Sequence, residues 1–245
     1  IYTLSLHDAL PILAFFEAIA EEAHAPLIYA EDHAEIRSCQ QSEEGLTYYT
    51  EHYGIVEGEL GGIYQEKNTN TILCAIRQLE MLGYMHPINC TPDILCQNKE
   101  VREGIKKVIE LTGLKGRWQI VSNKPLTICD TGHNLPGWLY LSKQINSINC
   151  DKMHILFGMV DDKDLEGVMK ILPRNATYYF TKANTKRAVS ENILKLYAQQ
   201  IGLRGDCYSN VANAYETIKK TAKENDFVFI GGSSYIVADF LKNCI

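Results

Sequence analysis

Beyond Gly116 the sequence alternates regularly between short apolar runs and longer amphipathic segments, and this alternation restricts the possible folds most strongly. Short runs rich in β-branched and aromatic residues are typical of buried strands, whereas apolar residues three and four positions apart are typical of helices. We predict strands at residues 118–122, 126–129, 154–159, 177–181 and 227–230, and a weaker strand near Cys207. Helices are predicted at residues 135–146, 164–171, 187–201, 210–223 and 234–242. This alternation predicts an α/β fold with a parallel sheet covered by helices.

The part of the chain before Gly116 has a different pattern. A helix is predicted at residues 13–23, strands at 26–30 and 46–50, turns near 54–62, and helices at 65–82 and 99–111. The last helix ends at Gly113, which has the position of a C-terminal capping glycine. We therefore predict a domain boundary near residues 113–117, with one domain over 13–112 and a second over 113–245. Residues 1–12 look like a translated sequencing adapter, so we expect a non-native leader there.

Charge and composition exclude several classes of protein. The net charge of −6 argues against a generally basic nucleic-acid binder. No apolar run approaches the roughly 18 residues of a membrane span, and the first residues lack the basic start of a signal peptide. The eight cysteines form no C-x-x-C pair and no zinc-binding spacing, so we interpret them as reduced thiols of a cytoplasmic protein.

Ligands of open α/β sheets bind beyond the carboxyl ends of the strands, and one predicted strand ends in the run Asp130-Thr-Gly-His133-Asn134. Asp130 would point into the crevice, where a carboxylate can bind a hydroxyl or orient a cationic partner. His133, at a helix start, can donate to a phosphate oxygen. The alternative is structural: Asp130 or Asn134 caps the helix, and His133 packs against it.

Two more predicted strand ends carry unusual residues. The strand before Gly158 leads into a charged cluster in which Lys163 can neutralise an anionic substrate. The alternative, which the motif taken alone favours, is a solvated loop in which Asp164 caps the helix. The strand at 227–230 leads into Gly231-Gly-Ser233-Ser and a helix. Glycines, helix amides and hydroxyl groups can hold a carboxylate or phosphate there, and a plain glycine turn with a serine cap is the alternative.

Four common binding or catalytic motifs are absent from the 245 residues. There is no G-x-x-x-x-G-K-[ST] sequence, so this chain holds no P-loop for a triphosphate. There is no G-x-G-x-x-G sequence after a strand, and no G-x-S-x-G or Cys/His nucleophile motif. A P-loop nucleotide site, a standard dinucleotide site and a hydrolase nucleophile are therefore unsupported within this sequence.

The motifs, taken in order, resemble the C-terminal half of the folylpolyglutamate synthase/dihydrofolate synthase family of the Mur ligase superfamily. Their order and spacing carry the resemblance, which covers roughly residues 13–245. The matching pieces are Gly61-Gly-Ile-Tyr-Gln65-Glu-Lys-Asn68, Gly116-Arg117-Trp-Gln, Asp130-Thr-Gly-His133-Asn134, Gly158-x-x-x-Asp162-Lys163-Asp164 and Gly231-Gly-Ser233.

The resemblance implies a domain organisation. Residues 13–112 would be the C-terminal remnant of an α/β Mur ligase central ATP-binding domain. Residues 113–245 would be the Mur ligase C-terminal (glutamate ligase) domain, a Rossmann-like, mostly parallel sheet with helices on both faces. The P-loop and most ligands for Mg²⁺ would lie upstream of Leu13, so we expect the fragment alone to be inactive.

The resemblance also implies roles for individual residues. Asn68, Arg117 and Asp130 would contact ATP, near the adenine, the phosphates and the ribose respectively. Arg117 and His133 would act in catalysis, with His133 facing the transferring phosphate. Lys163 and Ser233 would lie near the incoming glutamate. These two assignments follow from looser matches to the family motifs.

The implied reaction is ATP-dependent ligation of L-glutamate to a folate or dihydropteroate carboxylate through an acyl phosphate. The expected cofactors are ATP and Mg²⁺, and we expect a cytoplasmic monomer without nucleic-acid or membrane partners. Two alternatives stay open. One is another Mur-type amino-acid ligase, for example one that builds peptidoglycan precursors; the other is a non-catalytic fragment that binds ligand weakly or not at all.

Overall fold

The computed structural model describes residues 10–42, 45–85, 99–161 and 163–245, and the chain divides after Gly113 into two compact units. Gly113 adopts a left-handed conformation with φ of 67° and donates its N–H to the Ile109 carbonyl at 2.8 Å. Glycine adopts this conformation at little cost, so it ends the last helix of the first unit. No described helix combines the length and hydropathy needed to cross a bilayer.

The first unit contains a three-stranded antiparallel sheet and four described helices. Its elements are α1 (Leu10–Glu22), β1 (Ile36–Ser42), β2 (Gly45–Thr50), β3 (Ile55–Gly58), α2 (Gln65–Met81), α3 (Lys99–Lys106) and α4 (Val108–Thr112). The strands lie in the order β1-β2-β3, and Leu46, Tyr48 and Val56 of the sheet pack with Leu73 of α2 in a small core. Helix α1 begins at Leu10, inside the predicted leader, and residues 1–9 lie outside the described residues.

The structure differs from the sequence predictions at four places in this unit. Residues 54–62 were predicted as turns, but Ile55–Gly58 form strand β3, which pairs with β2. The predicted strand at 26–30 is wrong, because this segment is held by side-chain bonds and pairs with no strand: the Asn70 amide donates to the Ala30 carbonyl at 2.8 Å. Strand β1 was not predicted, because its sequence IRSCQQS is mostly polar and exposed. The helix predicted at 99–111 is two helices, and Glu59 accepts the Ile109 N–H at the start of the second.

The second unit is a six-stranded sheet with the strand order β4-β5-β9-β6-β7-β8. Its strands are β4 (Gln119–Asn123), β5 (Leu126–Asp130), β6 (Met153–Phe157), β7 (Ala176–Phe180), β8 (Arg204–Cys207) and β9 (Phe227–Gly231). Its helices are α5 (Leu135–Asn146), α6 (Leu165–Ile171), α7 (Glu191–Gln200), α8 (Val211–Thr221) and α9 (Ser234–Asn243). Only the edge strand β4 is antiparallel to its neighbour, and the other five strands run parallel.

Helices cover both faces of this sheet because successive strand residues point to opposite sides. Leu156 and Ile230 lie on the face that packs against α8 and α9. Phe157 and Phe229 lie on the other face, where the Trp138 ring of α5 meets them edge-on with centroids 5.5 Å and 5.7 Å away. The predicted α/β fold, a mostly parallel sheet with helices on both faces, is therefore confirmed.

A buried polar cluster closes the amino-terminal end of the sheet. The His154 ring places Nε2 3.1 Å from an Asp226 carboxylate oxygen and Nδ1 3.0 Å from the Tyr179 hydroxyl. The same Asp226 oxygen accepts the Lys223 N–H at 2.8 Å. Burial acts to raise the pKa of Asp226, but the hydrogen bonds from the Lys223 amide and His154 outweigh it, so the pKa is lowered overall.

The lowered pKa of Asp226 predicts a specific acid sensitivity. A carboxyl group with a depressed native pKa stabilises the fold fully above its unfolded pKa of 3.8 and loses this contribution as pH falls through the native value. We expect Asp226→Asn to lower the free energy of unfolding by about 2 kcal/mol at pH 6. The deficit relative to the unaltered chain should shrink below pH 4. Urea unfolding between pH 6 and pH 3 measures it, with exposed Asp151→Asn as the control; a deficit that is constant with pH would contradict the prediction.

Candidate active site at the carboxyl edge of the sheet

The register of the parallel strands places three loops side by side. Asp130 at the end of β5 pairs with Gly231 at the end of β9, and Gly231 pairs with Phe157 at the end of β6. The loops that follow these strands therefore leave the same edge of the sheet, next to one another. The structure thus brings Asp130, His133, Lys163 and Ser233 to one edge of the second unit.

Asp130 connects two turns at this edge. Its side chain is 1% exposed, one carboxylate oxygen accepts the Trp118 N–H at 2.7 Å, and the other accepts the Gly132 N–H at 2.7 Å. Trp118 has a φ of 51°, a left-handed conformation that is costly for a large side chain, and its ring packs against Phe229. The charge-assisted bond from Asp130 stabilises this unusual turn. Its contact with a ribose stays a prediction.

Arg117 lies directly before Trp118, and the same turn determines where its side chain lies. The guanidinium Nη1 donates to the Thr131 hydroxyl and approaches the Gly116 carbonyl at 3.4 Å. Gly116 has a φ of 69°, and a Cβ atom at this position would lie 2.7 Å from the Thr131 methyl carbon. A glycine is therefore needed before Arg117, and the half-buried guanidinium is held beside the loop after β5.

His133 and Asn134 have different positions in that loop. The Asn134 side chain caps α5 by accepting the Gly137 N–H at 2.9 Å, as the capping interpretation predicted. The half-buried His133 ring places Nδ1 3.1 Å from the Thr131 carbonyl. Since a carbonyl only accepts, Nδ1 carries the proton of this bond, and donation from Nε2 to a phosphate requires the protonated ring. The role of His133 in catalysis stays a prediction.

Ser233 is the N-cap of α9. Its hydroxyl accepts the Ile236 N–H at 3.2 Å, and the side chain is 1% exposed. The serine cap was the structural alternative in the sequence analysis. A hydroxyl that accepts the cap hydrogen bond still has its own proton to donate to a ligand. The preceding Gly232 has a φ of 101° and lies against the β6 loop, where a Cβ atom would approach the Gly158 carbonyl oxygen to 2.4 Å. A contact of Ser233 with glutamate stays a prediction.

Gly232→Ala tests how tightly this edge is packed. We expect it to lower the free energy of unfolding by about 3 kcal/mol, because it combines an unfavourable φ with a clash against Gly158. Gly202→Ala is a matched control, since Gly202 has a φ of 80° but nothing within 4 Å of its added Cβ, and it should cost about 1 kcal/mol. Urea unfolding measures both. Equal losses would show that the Gly232–Gly158 approach is not close.

Lys163 lies in the loop after β6, and Asp162 lies outside the described residues. Lys163 is half-buried, and Asp164 caps α6 by accepting the Gly167 N–H at 2.9 Å, as the alternative interpretation predicted. The loop after β7 joins this region, because the Asp161 N–H donates to the Arg187 carbonyl at 2.9 Å. The sequence interpretation missed this second cationic loop, although the run Thr181-Lys182-Ala-Asn-Thr-Lys186-Arg187 after a predicted strand was a usable signal.

Asn68 belongs to the first unit. It lies in the first turn of α2, where its amide donates to the Gln65 side-chain oxygen at 2.9 Å. Its predicted contact with adenine stays a prediction. Across the described residues, no three His, Cys, Asp or Glu side chains are grouped closely enough to hold a metal ion.

Comparisons with known proteins agree with this architecture. Residues 116–234 match the family model "Mur ligase, glutamate ligase domain". The dihydrofolate synthase/folylpolyglutamate synthase of Buchnera aphidicola subsp. Schizaphis graminum is 32% identical over 147 residues, which are 59% of this chain and 34% of that protein. The matched part is thus about a third of the relative's length.

Two solved structures share the fold. Mycobacterium tuberculosis folylpolyglutamate synthase complexed with ADP aligns with a TM-score of 0.73 at 16% identity, over 96% of this chain and 53% of that one. A bifunctional folylpolyglutamate synthase/dihydrofolate synthase with Mn, AMPPNP and L-glutamate bound aligns with a TM-score of 0.64 at 21% identity, over 94% and 50%. Residues 116–234, which make up most of the second unit, therefore resemble a Mur ligase glutamate ligase domain, and the similar curated proteins are dihydrofolate synthase/folylpolyglutamate synthases.

Proposed function

We propose that this chain is part of an ATP-dependent ligase that joins L-glutamate to the carboxylate of a folate or dihydropteroate. The observation that carries the proposal is the edge at which Arg117, the Asp130 turn and the Gly232–Ser233 helix start lie on neighbouring elements of a glutamate ligase domain. The similar proteins are named for this chemistry, and one solved neighbour has a nucleotide analogue and L-glutamate bound.

The proposed reaction has two steps. A carboxylate oxygen of the acceptor attacks the γ-phosphorus of ATP, and ADP leaves to give an acyl phosphate. The amine of L-glutamate then attacks the acyl carbon, an amide bond forms, and inorganic phosphate leaves with the amine proton released to the solvent or to a base. The protein's contribution is chiefly positioning and neutralisation of charge.

Arg117 supplies the cation in this proposal. A guanidinium stays charged at all working pH values and can bind two phosphate oxygens at once, so it suits a group whose negative charge is redistributed during transfer. Asp130 holds the Arg117–Trp118 turn, and the amide N–H groups at the start of α9 can donate hydrogen bonds to an anionic group from the other side of the edge. Lys163 and Ser233 are proposed to lie near the incoming glutamate.

The first unit is proposed to be the C-terminal remnant of an ATP-binding domain. Its helices α1 and α2, together with the turn that follows α2, leave large apolar side chains exposed, a pattern that a soluble domain rarely keeps without a cover. These are Phe15, Phe16, Ile19, Met81, Leu82 and Tyr84. We propose that sequence upstream of Leu13 covers them and supplies the P-loop and the ligands for Mg²⁺. A monomer in the cytoplasm is the proposed state.

Turnover assays test the function. The complete reading frame that contains this chain should release ADP in the presence of ATP, Mg²⁺, L-glutamate and either dihydropteroate or a reduced folate. UDP-muropeptides should not replace the folate substrate. The 245-residue chain alone should show no turnover. Activity with a muropeptide but not with a folate substrate would favour a peptidoglycan ligase instead. Turnover by the 245-residue chain alone would contradict the proposal that upstream sequence supplies the P-loop and the ligands for Mg²⁺.

A further inference from the structure

Thr131 lies between the two turns of the candidate site and contacts both. We propose that Thr131 is a positioning residue whose hydroxyl holds the Arg117 guanidinium in place before a phosphate arrives. The proposal rests on the proposed function, because it assigns the task of that guanidinium to phosphate binding. It adds a residue whose position in the Asp130-Thr-Gly-His133-Asn134 run had no assigned role.

The hydroxyl of Thr131 both donates and accepts a hydrogen bond. It donates to the Gly116 carbonyl at 3.1 Å and accepts from Nη1 of Arg117. The backbone N–H of Thr131 donates to the same Gly116 carbonyl at 2.9 Å. Since the hydroxyl proton is directed to Gly116, the oxygen lone pairs remain to receive the guanidinium. Donor and acceptor roles are therefore assigned without conflict, and the orientation of Arg117 follows from them.

The methyl group of Thr131 contributes to the same arrangement. A Cβ atom on Gly116 would lie 2.7 Å from this methyl carbon, so the methyl group packs directly on the glycine backbone. A β-branched side chain has few allowed χ1 rotamers, and packing on Gly116 restricts them further. The hydroxyl is thereby directed towards Arg117. A serine would keep the hydroxyl with a freer side chain, and a valine would keep the shape without the hydroxyl.

An ordered guanidinium binds an anion more tightly than a mobile one. A long side chain that is already held in its binding geometry loses less conformational entropy on binding. The guanidinium of the half-buried Arg117 is held by Thr131 of the same unit. Its orientation therefore does not depend on a bound ligand. Removing the Thr131 hydroxyl should therefore weaken phosphate binding through Arg117 without removing the charge itself.

The test uses the 245-residue chain, ADP as the probe, and NMR titration in the millimolar range. We expect Thr131→Val to weaken ADP binding about fivefold, the equivalent of one lost hydrogen bond, and Thr131→Ser to stay within about twofold. Thr127→Val is the matched control, because Thr127 lies at the other end of β5 and its hydroxyl bonds only to the Pro125 carbonyl at 3.0 Å among the bonds described. It should leave ADP binding unchanged.

A double-mutant cycle separates positioning from a general structural effect. In an Arg117→Ala background, Thr131→Val should cause no further loss of ADP affinity, since the group it holds is gone. A loss of the same size in both backgrounds, or equal losses for Thr131→Val and Thr127→Val, would overturn the proposal. Thermal unfolding of each variant checks that it is folded, and Thr131→Ser keeps the comparison available if the valine variant is not.

A ligand-free measurement distinguishes failure of this proposal from failure of the proposed function. The Nη signals of Arg117 should be resolved in the unaltered chain and in Thr127→Val, and averaged by rotation in Thr131→Val. If the unaltered chain does not bind ADP but shows this pattern, the positioning contact is supported and the proposed nucleotide role of the edge fails. Averaged Arg117 signals in the unaltered chain would overturn the positioning role itself.

Discussion

Arg117→Ala is expected to lower kcat/KM of the proposed ligase by about 100- to 1,000-fold, the loss typical of removing one group that stabilises charge at a reacting centre. The guanidinium is held beside the loop after β5 by Thr131, at the edge where the proposed phosphate would lie. Arg117→Lys should recover part of the activity, because it restores the charge but not the two-pronged geometry. Steady-state kinetics on the complete reading frame, with ATP and glutamate varied separately, measure both variants.

A matched control exists at the opposite end of the sheet. Arg174 is exposed, lies just before β7, and donates to the Ile201 carbonyl at 2.6 Å. Arg174→Ala removes the same side chain and the same charge at the amino-terminal edge, so kcat/KM should change by less than about twofold. Equal kinetics for Arg117→Ala and the unaltered protein would remove Arg117 from the proposed active site.

Asp130→Asn is expected to lower the free energy of unfolding by about 3 kcal/mol. The two carboxylate oxygens accept two different backbone N–H groups, from Trp118 and Gly132. An asparagine can accept only one of them, and its amide then faces the other donor in a buried place. The strained Trp118 turn would lose its charged partner, so Arg117 would also be displaced and ADP binding should weaken.

The control for Asp130→Asn is Asp164→Asn. Asp164 accepts a single N–H as the cap of α6, and asparagine caps helices about as well as aspartate. Urea unfolding of this variant should therefore match the unaltered chain to within about 0.5 kcal/mol. If Asp130→Asn were equally mild, Asp130 would not hold the two turns together, and the structural explanation of the Arg117 position would be wrong.

Much of the fold of the second unit follows from local sequence, because its central strands are buried on both faces. Every residue of β6 and β9 is buried, and both strands read clearly as apolar runs. The edge strand β8, with the sequence RGDC, has no buried residue and is only weakly predicted. Strand β1 is missed for a similar reason, because Ile36 is its only buried residue and most of the others are polar and exposed. Pairing with a neighbour, which local sequence does not reveal, makes these polar segments into strands.

The candidate site was predictable in its location but not in its detail. The rule that ligands bind beyond the carboxyl ends of parallel strands places Asp130 and Ser233 at one edge. It does not predict that the Asp130 carboxylate turns inward to Trp118, since this depends on the left-handed backbone of that residue. The contact from Thr131 to Arg117 likewise joins residues that only the hairpin of β4 and β5 brings together.

Paramagnetic broadening by Mn²⁺·ADP tests the central claim that this edge binds the phosphates of a nucleotide. Amide signals of the described residues around Thr131–His133 and Gly232–Ser233, together with the Arg117 side chain, should broaden first and to a similar extent. Amides at the amino-terminal edge, such as those of His154 and Phe227, should stay sharp, and free Mn²⁺ should not reproduce the pattern. Broadening confined to another surface, or broadening of only one of these two loops, would contradict this claim.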